Sequence, residues 1–162
     1  MLTSFYADCV PLYFFDPIRR VIGLAHAGWK GTVGQIAKAM VTAMKESYGS
    51  SSSDIRAAIG PSIGACCYEV DEHVMTKVRD TLAELGAMEY LDRVASFSIN
   101  KEKSMLNLKE LNVIIMIKAG ILPKFIECTT WCTSCHPNHF FSYRKEDGTT
   151  GRMASWIGMK ER

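Results

Sequence analysis

Residues 8–31, DCVPLYFFDPIRRVIGLAHAGWKG, constrain the fold more than any other stretch of the chain. Val10–Phe15 is a short apolar and aromatic run, which reads as a buried strand, and Val21–Ala25 is a second. Asp16-Pro17 between them is a turn signal. Cys9 stands at the entrance of the first strand and His26 at the exit of the second, seventeen positions on. If the strands are antiparallel neighbours, entrance and exit share one end of the pair and the two side chains meet. A thiolate beside an imidazole suits soft-metal ligation. It equally suits a cysteine nucleophile with a histidine base. Against both stands the plain alternative of a cysteine packed as a small hydrophobe and a solvent-facing histidine.

The flanks of this corner add chemistry. Asp8 precedes the cysteine, placed to orient His26 or to take a proton. Gly28, Lys30 and Gly31 follow the histidine in a turn that leads into a helix, where free N–H groups and a lysine suit a phosphate. Open turns at strand ends are where α/β proteins place their sites.

The remaining pattern predicts alternating helices and strands. Val33, Ile36, Ala37, Met40, Val41 and Met44 recur at helical spacing, with Thr32 as N-cap. The loop Ser50–Ser53 leads to a strand over Ile55–Ile59. Asp71 starts a second helix whose Val74, Val78, Leu82 and Leu85 face inward. Residues 86–103 are poorly patterned, apart from a short strand over Val94–Ile99. Leu108, Leu111, Ile114, Ile115 and Ile117 mark a third helix, stopped at Gly120 before Pro123. Further strands are expected at Ile126–Thr130, His139–Arg144 and Arg152–Ile157, the last two around an Asp147-Gly148 turn. This order predicts a mixed sheet with helices on both faces, in one domain over residues 1–162.

A formal charge of +2 gives no reason to expect nucleic acid or a membrane as partner. No apolar run reaches the roughly 18–20 residues that span a bilayer. The six cysteines, without a visible signal sequence, read as reduced thiols of a cytoplasmic protein. Cys128, Cys132, Cys135 and His136, with His139 nearby, form a compact group that suits a zinc knuckle, a redox CxxC, or plain loop cysteines. Cys66 and Cys67 read as packing residues beside Tyr68, and His73 as solvent-facing. Among the arginines Arg56, Arg144 and Arg152, Arg144 is the best candidate to grip an anionic substrate group with its planar fork.

Several of these stretches resemble one family in order and along nearly the whole chain: ADCVPLYFFDP, HAGWKGT, AIGPSIGACCYEV, NLKELN, CTSC and FFSYRKEDGTTGRMAS. It is the YfiH/YlmD family, also called multicopper polyphenol oxidase-laccase or purine nucleoside phosphorylase-like proteins. The resemblance implies a three-layer α/β/α fold related to the cytotoxic necrotizing factor toxins, which use a Cys–His pair. It implies that Cys9 and His26 are two of three zinc ligands. It implies phosphorolysis of adenosine, inosine, guanosine and methylthioadenosine, with adenosine deamination as a second activity and copper-dependent phenol oxidation as the older assignment. The family's third ligand is a histidine upstream of the ADC string. The strand-like sequence beginning within ten residues of Met1 leads us to expect that an upstream segment is missing. A Cys–His hydrolase and an inactive fragment are the competing expectations. An exposed sheet edge where strands are missing makes homo-oligomers an expectation too.

Overall fold

The computed structural model describes residues 1–100 and 102–160. Strands β2 (Val10–Asp16) and β3 (Val21–Ala27) form the expected antiparallel pair, in register from Val10 opposite Ala27 to Asp16 opposite Val21. The turn joining them is fixed by Asp16, whose carboxylate accepts the N–H of Ile18 at 2.8 Å and of Arg19 at 3.0 Å. Strand β4 (Arg56–Ile59) runs antiparallel to β2 and parallel to β8 (Ile126–Cys128). The central sheet is therefore mixed, in the order β3-β2-β4-β8, and the fold class is the α/β one expected.

Alternation along β2 decides what lies on each side of this sheet. Val10, Leu12 and Phe14 point into the core, together with Ala25 and Ala27 of β3 and Ala57 and Ile59 of β4. Helices α2 (Ile36–Tyr48) and α5 (Leu108–Lys118) supply Ala37, Val41 and Met44, and Leu111, Ile114 and Ile115, to the same core. Pro11, Tyr13 and Phe15 point the other way. There a two-stranded ribbon, β1 (Leu2–Tyr6) with β9 (Met153–Ile157), lies against them, and the Tyr13 hydroxyl donates to Ser155 Oγ at 2.5 Å. A small sheet of β5 (Glu69–Val70), β7 (Ser104–Leu106) and β6 (Ala95–Phe97) flanks the core.

The first helical pattern is two helices rather than one. Helix α1 (Trp29–Val33) is a single turn; the chain breaks at Gly34 and Gln35, where Gln35 takes a left-handed φ of 56°, and α2 begins after it. Thr32 is consequently not an N-cap. It is buried inside α1, donates to the Ala27 carbonyl at 3.4 Å and accepts from Asn112 of α5 at 2.9 Å. Helix α3 (Glu72–Glu84) starts as predicted, with Asp71 accepting the Val74 N–H at 3.0 Å. The expected strand over His139–Arg144 does not form. Its backbone groups go into turns, Phe140 N–H to the His136 carbonyl and Gly148 N–H to the Tyr143 carbonyl, and into a side-chain bond described below. Residues 91–94 make a short helix, α4 (Leu91–Val94), in the stretch without pattern.

Candidate functional site

Three loops converge on the end of β2. The link from β1 to β2 turns sharply at Asp8, which adopts a φ of 78°. Its buried carboxylate then binds two other segments: the Thr133 hydroxyl donates to one oxygen at 2.6 Å and the Arg144 backbone N–H to the other at 2.7 Å. Its carbonyl accepts the Ile63 N–H at 2.9 Å. The bonds Asp8 makes thus hold the site's walls together, and none of them runs to His26.

Cys9 and His26 line one hollow of about 470 Å³, together with Phe5, Asp8, Trp29, Tyr68, Tyr143, Arg144 and Arg152. The β2–β3 register explains it: Val10 faces Ala27 and Pro11 faces His26, so Cys9 lies one step past the pair, at Gly28. A Cβ at Gly28 would stand 2.9 Å from Cys9 Sγ, and one at Gly31 would stand 3.0 Å from the His26 carbonyl. Gly28 is there because a thiol occupies the space of its side chain. The His26 ring packs on Tyr6, centroids 4.6 Å apart. Gly28 and Lys30 line an adjoining hollow of about 240 Å³ that shares Asp8, Cys9, Trp29, Ile63 and Tyr68 with the first. Another hollow of about 450 Å³, bordered by Phe15, Arg56, Lys124 and Phe125, contains no thiol or imidazole.

Electrostatics separate the two chemistries of the corner. Burial, reinforced by the Asp8 charge and only partly offset by Arg152, pushes the Cys9 thiol above its ordinary value. Burial also holds the His26 imidazole below its ordinary value. A neutral thiol beside a neutral imidazole is the reverse of an activated cysteine nucleophile, which needs a lowered thiol pKa. A metal reverses the penalty, because it deprotonates the thiol and takes the neutral imidazole. The donors therefore suit zinc in kind. They fall short in number: catalytic zinc takes three protein ligands, and among the described residues no third Cys, His, Asp or Glu donor gathers with Cys9 and His26. His136 and His139 lie instead against Trp131, and His73 against Trp29. A centre of several coppers is served less well, with one imidazole in the hollow.

Arg144 reaches the hollow with its guanidinium 5.2 Å above the Tyr68 ring, anchored by one N–H donated to the Glu69 carbonyl at 2.9 Å. Arg152, weighed and set below Arg144 on sequence, lines the hollow too, with an aromatic wall of Phe5, Trp29, Tyr68 and Tyr143 that no sequence signal marks. The Asp147-Gly148 turn, both residues at positive φ, folds the chain back between the two arginines.

The second cysteine group is not the one the spacing suggested. Cys66 and Cys67, read as packing residues, meet Cys132 and Cys135, and the four sulfurs lie within 4.8 Å of one another. Cys128 is exposed with its thiol toward the Thr129 carbonyl, and His136 Nδ1 lies 2.8 Å from the Cys132 carbonyl. Adjacent positions 66 and 67 looked unpromising because two neighbouring cysteines cannot readily pair with each other; the fold gives both the same partners from a remote loop.

A mixed α/β sheet with a thiol and an imidazole at the mouth of a central hairpin, facing an arginine- and aromatic-lined hollow, defines a class of α/β domains with a Cys–His site. Residues 1–160 match the family described as multi-copper polyphenol oxidoreductase laccase, and the chain belongs to that family. It is 46% identical over 156 residues to the purine nucleoside phosphorylase YlmD of Bacillus subtilis, covering 96% of this chain and 54% of that protein. Among solved structures, Bacillus licheniformis YfiH superposes with a TM-score of 0.90 at 46% identity, covering 98% of this chain and 57% of that one. YlmD of Geobacillus stearothermophilus also gives 0.90, at 41% identity, covering 99% and 57%. The chain thus spans a little over half the length of these relatives.

Proposed function

We propose that this chain carries the Cys–His half of a purine nucleoside phosphorylase site. The observation that carries the reading is the composition of the hollow, lined by a thiol, an imidazole, Arg144, Arg152 and four aromatic rings. Its parts match the parts of the reaction. Flat aromatic faces suit a purine. The arginine forks suit inorganic phosphate. In phosphorolysis a phosphate oxygen bonds to the ribose anomeric carbon while the bond to the base nitrogen breaks, and that nitrogen leaves with the electron pair and takes up a proton.

Each residue then has a task. Arg144, held by Tyr68 and Glu69, binds and orients phosphate, with Arg152 beside it; Lys30 and Gly28 border the same anion from the adjoining hollow. Asp8 keeps the wall closed by holding Arg144 and Thr133. Cys9 and His26 would be two ligands of a zinc completed by a donor outside this pair, and such a metal supplies Lewis-acid polarisation or an activated water. The water would serve adenosine deamination. Six free thiols favour a reducing, cytoplasmic setting; no helix among the described residues is long and apolar enough to cross a membrane.

The test is release of free base from adenosine, inosine, guanosine and methylthioadenosine, with and without phosphate, in zinc-supplemented protein. Release that requires phosphate, is lost in Cys9→Ser, and in Arg144→Ala shows a phosphate KM raised about 10- to 100-fold, agrees with the loss of one charged hydrogen-bonding group. Release independent of phosphate, or full activity in Cys9→Ser, would sink the reading.

A further inference from the structure

We propose that Cys66, Cys67, Cys132 and Cys135 bind one zinc ion as a structural tetrathiolate site, separate from the Cys9–His26 corner. The inference does not rest on the phosphorylase reading.

The four sulfurs are close enough together to share one ion. With Zn–S bonds of about 2.3 Å, the sulfurs of a tetrahedral site stand ~3.8 Å apart. Here Cys135 Sγ lies 3.5 Å from Cys66 Sγ and 3.4 Å from Cys67 Sγ, and all four sulfurs fall within 4.8 Å of one another. These separations are far longer than the roughly 2.05 Å of a disulfide. Four sulfur donors favour zinc held as a closed structural ion.

A backbone donor supports the sulfur of Cys132, although burial and the neighbouring thiols push the Cys66 thiol up. The Gly64 N–H donates to Cys132 Sγ at 3.1 Å, the type of backbone bond that supports metal-bound sulfur. Gly64 is tightly placed for this: a Cβ there would stand 3.2 Å from both Cys132 Cβ and Cys66 Sγ. Burial pushes the Cys132 thiol up, but N–H bonds from Gly64 and Cys135 and the neighbouring thiols outweigh it and bring the group to about 7.

The two loops concerned are already tied side by side. Ser62 bridges Cys132 in a parallel β-bridge, and the Thr133 N–H donates to the Ser62 carbonyl at 3.0 Å. The first loop continues from Cys67 directly into Tyr68. The second carries Thr133, which grips Asp8, and runs on to Arg144. Zinc would clamp the hollow's far wall without touching its contents.

The Cys9→Ala/His26→Ala double variant isolates this site. We expect it to retain about one zinc per chain after gel filtration, released when a mercurial titrates the thiols. Cobalt loaded in its place should give an intense sulfur-to-cobalt absorption. Cys66→Ser and Cys135→Ser, both at exposed positions, should lose the ion, whereas Cys128→Ser keeps it. Zinc that departs with Cys9 and His26, zinc that survives both serine variants, iron in place of zinc, or four metal-free thiols after zinc supplementation would each overturn the proposal. Should the serine variants fail to fold, the cobalt spectrum of the double variant decides.

Discussion

At the scale of single residues, two positions show how much rests on one small contact. Gly28 has an extended backbone, φ −65° and ψ 177°, that any residue adopts, yet Cys9 Sγ occupies the place of its missing side chain. Gly28→Ala should therefore leave the melting temperature unchanged or slightly raised, since the backbone is compatible and the unfolded chain loses freedom. It should still cost about 100-fold in kcat/KM of the proposed phosphorolysis, because it shifts the thiol by a large part of an ångström. Unchanged kinetics would show that Cys9 has room to move. Asp16 is the second case. Burial raises its carboxyl pKa, but the Ser50 hydroxyl beside it and the N–H groups of Arg19 and Ile18 outweigh this and hold it below the usual value. A depressed acid stabilises the fold above its unfolded pKa, near 3.9, and loses that contribution as pH falls through the folded value. Asp16→Asn should lower stability at pH 7 by about 1 kcal/mol or more, and in melting curves the gap to the parent should begin to narrow below about pH 4 and close only below the depressed folded value. A gap independent of pH would assign the effect to packing.

At the scale of elements, local chemistry explains what was legible and what was not. Asp71 announces α3 because an aspartate before a periodic run is the chemistry of an N-cap. Asp71→Ala should cost about 1 kcal/mol in thermal melts and leave the phosphate KM of the proposed phosphorolysis untouched, and a raised KM would place Asp71 in the site. The hairpin of β2 and β3 was equally plain, since both strands and their turn lie within one continuous stretch. The break after α1 was hidden because Val33 and Ile36 keep helical spacing across Gly34 and Gln35, while the chain kinks to bury Thr32 against Asn112. The supposed strand at His139–Arg144 failed for a similar reason: its apolar residues suggested a ladder, but the Arg144 N–H belongs to Asp8, 136 positions away. The four-cysteine group was illegible because its halves come from loops 68 or 69 positions apart. Spacing reveals ligands that share a turn, and cannot reveal those brought together by packing. The aromatic wall is the same case, since nothing in Phe5, Tyr68 or Tyr143 distinguishes a pocket residue from a core residue until the walls are assembled.

At the scale of the whole molecule, stability and site are unevenly distributed. Every second residue of β2 is buried in the core, Val10, Leu12 and Phe14 being at most 1% exposed, while Leu2 and Phe5 of β1 are 41% and 61% exposed. Hydrogen exchange should accordingly show slow amides in β2, β3 and β4 and faster ones in the β1–β9 ribbon; equal protection would mean that the ribbon unfolds only with the core. The ribbon also has a consequence in time. Leu2 pairs with Ile157 and Tyr6 with Met153, so this ladder joins positions about as far apart as the sequence allows. Pairings of such separation form late, after local hairpins and helices have condensed. Strands β2 and β3 and helix α2 can collapse before the strands that follow them are made, whereas Phe5 must wait for Arg152 and β9 before the wall they share exists. A chain lacking β9 would hold its thiol and imidazole in an open corner, so the hollow is complete only once that late pairing is in place.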